Sequence, residues 1–161
     1  MAQDIFLKIE GITGESMDET HKNEIEVLTL EWEILQESSM HAGSGGGGGK
    51  ATVKDLTFEH RIDAASPILM KHALTGKHLK SAVLVMRKAG GKPLEYLTIT
   101  MTDVIVTKVK LAVSSRDFDA NREIVSLSFA KVEEKYTKQN GQGGSTGDVS
   151  AAYDIKANKE E

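Results

Sequence analysis

The chain has 161 residues, of which 39% are hydrophobic and 27% charged, with a net charge of −4 and five histidines. That is enough apolar material for one core, so residues 1–161 read as a single domain, and no bulk positive charge favours a phosphate backbone. Cysteine is absent, which excludes disulfides, thiolate zinc sites and thiol nucleophiles.

Residues 4–10, DIFLKIE, place Ile5, Leu7 and Ile9 on one parity, the pattern of a half-buried strand. Two glycines in GITGES then break it. Residues 24–36, EIEVLTLEWEILQ, read as a longer strand whose parity changes midway. Ile25 and Val27 are odd, whereas Leu28, Leu30, Trp32 and Ile34 are even, so a bulge is expected near Val27–Leu28. After the switch Thr29, Glu31 and Glu33 share the polar face. A glycine-rich arm follows at about 38–50, a loop that holds Ser38, Ser39, Met40, His41, Gly43, Ser44, Gly45, Gly49 and Lys50.

Residues 53–62 resume as strand, with Leu56, Phe58 and His60 on one face. Residues 66–75 form the expected helix, with Ser66 as N-cap, Pro67 in the first turn and Gly76 as the left-handed stop. At two to three turns it is too short to persist without docking on a sheet. Residues 81–109 read as a hairpin turning at Gly90-Gly91, with Leu97, Ile99, Met101 and Ile105 inward. Residues 121–136 alternate again, with Val125, Leu127 and Phe129 inward. A mobile loop is expected at about 139–149, before a last short segment, AAYDIKAN. The sum is a mainly β fold, a barrel or sandwich with one helix.

The stretch HAGSGGGGGKATV invites a phosphate-loop reading, which its residues refuse. With Gly49-Lys50 in the Gly-Lys slot, the first glycine position holds Ser44 and the hydroxyl position holds Ala51. The following segment is β-patterned, so no helix N-terminus faces a phosphate. No HExxH pair occurs among His21, His41, His60, His72 and His78. The expectation is therefore no enzyme, no cofactor, no metal and no nucleic-acid partner. The N-terminus lacks the basic leader and apolar run of a secretory signal, and no stretch is long enough to insert into a membrane. Synthesis in the cytoplasm is expected, and any export is expected to take a route other than a signal peptide.

Six stretches in order carry a resemblance: DIFLKIEGITGES (4–16), DETHKNEIEVL (18–28), DLTFEHRIDAASPILMKHALTGKHL (55–79), RKAGGKPLEYLTITM (87–101), VSLSFAKVEEKY (125–136) and YDIKANKE (153–160). Over nearly the whole chain they resemble the haemolysin-coregulated protein (Hcp) family, the tube subunit of bacterial type VI secretion systems. The resemblance implies a β-barrel of two packed antiparallel sheets with one short flanking helix. It also implies a homohexameric ring with a wide channel, and rings stacked into a tube that a contractile sheath drives out behind a spike, from a baseplate. The secretion machine itself would export the protein, with small effector proteins as cargo in the lumen. On that frame Thr29, Glu31 and Glu33 are candidates for the lumen wall, acidic enough to disfavour acidic cargo, and the arm at 38–50 is a candidate for ring-to-ring contact. The competing expectation is a binding module that acts as effector chaperone or adaptor without building a tube. This chain departs from the family pattern at TLEWEIL (29–35), AVSSRDFDANRE (112–123) and AAYDIKAN (151–158).

Overall fold

Alternation builds the first strand, β1 (Gln3–Ile9), which turns Leu7 and Ile9 into the core. The structure is a computed structural model, and it describes residues 3–38, 49–90, 93–142 and 144–161. The chain continues through β2 (Ile25–Glu31), β3 (Ile34–Leu35), β4 (Thr52–Val53) and β5 (Leu56–His60) to α1 (Ser66–Thr75). It ends with β6 (Leu79–Lys88), β7 (Leu94–Ala112), β8 (Arg122–Gln139), β9 (Ser145–Asp154) and β10 (Lys159–Glu160). Every described strand pairing is antiparallel. The order β10-β9-β8-β5-β2-β1-β6-β7 closes because β7 also pairs with β8. The expected mainly β barrel with one helix at 66–75 is what the chain forms.

Two long strands make the closure possible. β8 pairs with β5 through residues 123–127 and with β9 through 131–139, while β7 runs along its other side. One sheet is therefore β2–β5–β8–β7, and the other is β1–β6–β7–β8–β9–β10. Phe58, Leu56, Leu69, Leu84, Met101 and Leu127 fill the space between them and are fully buried. Each such side chain contributes about 1.5–3 kcal/mol by leaving water. Trp32 tilts against Phe129 at 5.9 Å between ring centroids and donates its indole N–H to Lys54 O at 3.0 Å.

Local readings fail where the chain leaves the barrel wall. The bulge in β2 falls between Val27 and Thr29, as expected. β2 then stops at Glu31, and β3 pairs with β4 rather than with the barrel. Ile34, expected inward, is 54% exposed for that reason. On β7 the inward parity switches from Ile99 and Met101 to Val104 and Val106. The switch sits at Asp103, whose φ is +57; Ile105, expected inward, is only half-buried on the opposite parity.

The helix is capped differently from the expectation. The N-cap is Ala65, not Ser66. Asp63 organises the turn instead: its carboxylate accepts from Ala65 N at 2.8 Å, and its own N–H donates to Ser66 Oγ at 3.1 Å. Gly76 closes the helix at φ +67, donating to His72 O at 2.9 Å. Leu69 is buried, whereas Met70 and Leu74 face out. The hairpin tip has Gly90 at φ +146, and Gly91 lies outside the described residues. β9 begins at Ser145, so the latter half of the loop expected at 139–149 is strand. Among the described residues no helix is long and apolar enough to cross a membrane.

Candidate functional site

The polar face of β2 extends across three more strands. Because Leu56, Phe58 and His60 point inward, Thr57 and Glu59 of β5 point outward. Registration then aligns two transverse rows. One runs Glu31, Thr57, Ser126, Lys108, and the other runs Thr29, Glu59, Ile124, Lys110. Thr29 Oγ1 donates to Glu59 Oε2 at 2.6 Å, and Thr57 Oγ1 meets Ser126 Oγ at 2.8 Å. Thr107, beside the register shift in β7, donates to Asp55 Oδ2 at 2.6 Å.

The result is a charge-graded wall. Carboxylates stand on β2 and β5, hydroxyls in the middle, and the exposed Lys108 and Lys110 on β7. The outer strands lie about 14 Å apart, three strand spacings. Glu31 and Glu33 are exposed, as read from the sequence. The two lysines were missed because they lie far along the chain; their signal is the alternation Lys108-Val109-Lys110.

Both margins of this sheet are open. β2 pairs with β1 only at Ile25 and Glu26, and from Thr29 to Glu31 its described ladder is with β5 alone. β7 pairs with β6 up to Val104, and beyond that its described ladder is with β8 alone. A cleft of about 450 Å³ lies where β2 diverges from β1, lined in part by Asp4, Phe6, Leu28, Arg61 and Arg87. The strands run alternately up and down, so β2 and β7 point in opposite directions.

Of the arm, Ser38, Gly49 and Lys50 are described, while Ser39, Met40, His41, Gly43, Ser44 and Gly45 lie outside the described residues. Its base is the β3–β4 ladder, with Ile34 opposite Val53 and Leu35 opposite Thr52. Beneath that ladder a groove of about 620 Å³ is lined by Ile34, Val53, Val132, Tyr153 and Ile155, with Lys50 at its margin.

The titratable groups that the fold shifts are paired with other titratable groups. His60 Nε2 meets Glu123 Oε1 at 2.7 Å inside the barrel, and Asp63 Oδ2 lies 3.6 Å from Nδ1. Burial opposes protonation of His60, but the Asp63 and Glu123 carboxylates outweigh it and push the group up to about 9. On the outside of β1 the loop 10–24 folds over Phe6. His21 stacks on that ring at 4.4 Å, gripped by Glu24 at 2.9 Å and Glu95 at 2.6 Å. Burial disfavours its charge, yet the two carboxylates hold it above the ordinary histidine value. Arg87 covers the same ring at 4.9 Å and donates to Asp18 twice and to Asp4 once. Its guanidinium holds the Asp18 carboxyl well below the usual carboxylate range. His72 and His78 do not converge: one meets Ile68 O and the other Asp103. Among the described residues no group of three or more His, Asp or Glu side chains is arranged to hold a metal ion.

Residues 6–136 match the family described as "Type VI secretion system effector, Hcp". Protein hcp1 of Pseudomonas aeruginosa is 43% identical over 160 residues, covering 98% of each chain. The crystal structure of Hcp1 from Salmonella typhimurium is 54% identical, covers 100% of both chains and superposes with a TM-score of 0.82. A structure described as a type six secretion system protein reaches a TM-score of 0.94 at 26% identity, covering 99% of this chain and 100% of the other.

Proposed function

The chain belongs to the Hcp family of type VI secretion proteins, and from that premise we propose that it is a tube subunit. It assembles into a homohexameric ring, rings stack into a tube, and a contractile sheath propels that tube. The machine that builds the tube also exports it, without a signal peptide. Spike, sheath and baseplate are its partners, with small effector proteins held in the lumen.

One observation carries the reading: the sheet β2–β5–β8–β7 is open along both margins, and those margins run in opposite directions. An open edge is a template for pairing. With an even number of alternating strands, β7 of one copy meets β2 of the next antiparallel, and the same contact repeats at every interface. Such a head-to-tail contact makes a ring when the rotation closes. The polar outer face, with Thr29, Glu31 and Glu33, then lines the channel. Lys108 and Lys110 share that wall, so cargo meets a surface of mixed sign rather than an acidic one.

Light scattering on the purified protein is expected to give a hexamer mass, and negative-stain micrographs are expected to show annular particles. A strictly monomeric species at every concentration overturns the ring. The arm, rooted on the outlying β3–β4 ladder, serves stacking. Deletion of residues 43–49 is expected to leave the hexamer mass unchanged and to abolish stacked rings in micrographs. Loss of the hexamer itself would move the arm into the ring interface.

A further inference from the structure

The open margins of the polar sheet differ in charge as well as in direction. The β2 margin carries Glu31, and the β7 margin carries Lys108 and Lys110. All three side chains are exposed, and no ion pair among the described residues engages any of them. Within one copy the rows that hold them separate Glu31 from Lys108 by two hydroxyl-bearing strands, too far to meet. On adjacent copies the two margins become neighbouring strands, about 4.8 Å apart, where opposite charges attract and like charges repel.

We infer that Glu31 of one copy and Lys108 and Lys110 of the next form the ion pairs that select head-to-tail edge pairing between copies of this chain. The inference rests on the ring reading above and adds the residues that enforce its polarity. Charge excludes the competing contacts. Two β2 margins brought together oppose Glu31 to Glu31, and two β7 margins oppose lysines to lysines, so either symmetric dimer is disfavoured at its own edge. Only the mixed pairing matches sign, and only the mixed pairing leaves a fresh margin of each kind for the next copy. The choice of partner is therefore written in charge, while the backbone edge supplies an unspecific template.

The test compares wild type, Glu31→Lys, the double variant K108E/K110E, and the triple variant that combines them. Oligomer mass is followed by native mass spectrometry and sedimentation at about 50 mM and about 500 mM NaCl, which bracket strong and weak screening. Each reversal alone is expected to weaken association at least tenfold, and the triple variant is expected to recover to within about threefold of wild type. An equimolar mixture of Glu31→Lys with K108E/K110E is expected to give mixed oligomers that neither forms alone. Far-UV circular dichroism and thermal melts of each variant establish that the monomer fold is intact, as exposure of all three positions predicts. A wild-type ring unaffected by either single reversal overturns the charge selection while leaving the ring standing. Reversals that weaken association without recovery in the triple variant also overturn it. A wild type that never leaves the monomer overturns the ring reading on which the inference rests.

Discussion

His60 is a charged group set inside a hydrophobic wall, and its stability contribution depends on keeping that charge. Its folded value, about 9, exceeds the ordinary value of about 6.5 expected when unfolded. The contribution is therefore complete below about pH 6.5 and is lost as pH climbs through about 9. Thermal melts of wild type should fall across that window. Glu123→Gln should melt lower at pH 6, by roughly 3 kcal/mol, because a buried charge loses its partner, and its pH curve should be flatter. A curve as steep as wild type would remove the pair as the cause. Arg87 makes a parallel case in geometry. Its two-pronged contact with Asp18, at 2.7 and 2.9 Å, needs a planar fork that lysine lacks. Arg87→Lys is expected to cost on the order of 1–2 kcal/mol in urea unfolding, despite the conserved charge.

Among the elements, the loop 10–24 and the helix end are places where the backbone decides the outcome, the first through space and the second through its φ. Gly14 sits against the returning chain, and a Cβ there would lie 2.6 Å from Glu24 O and 2.9 Å from Ile25 N. Gly14→Ala is expected to destabilise by about 1–3 kcal/mol, with faster hydrogen exchange at Ser16 and Asn23, whose N–H groups tie the loop. Gly76→Ala should cost about 1 kcal/mol through its left-handed φ alone. Elements with simple periodicity were legible in the sequence: Leu56, Phe58 and His60 in β5, the bulge in β2, and the limits of α1. What escaped depends on non-local pairing. Ile34 looks inward by parity and faces out because β3 joins β4. Val104 replaces Ile105 because Asp103 takes a left-handed conformation within a long strand. Phe6 reads as outward and is buried because His21 and Arg87 come from elsewhere to cover it. At the site, Thr29, Glu31 and Glu33 were visible as one polar face, but their relation to Lys108 exists only through two intervening ladders.

At the scale of the whole molecule, β7 and β8 are the members common to both sheets. Their ladder runs from Leu97 opposite Tyr136 to Ala112 opposite Arg122, nearly the full length of the barrel. A force directed along these strands loads the ladder in shear, so many hydrogen bonds must fail together rather than one after another. Neither sheet can slide past the other without breaking that shared pair. The barrel is thus stiffest along its strands and more compliant across them, where single ladders such as β1–β2 hold through only two residue pairs. A subunit pushed hard along its strand direction keeps its shape; one prised sideways opens first at the seam between β1 and β2.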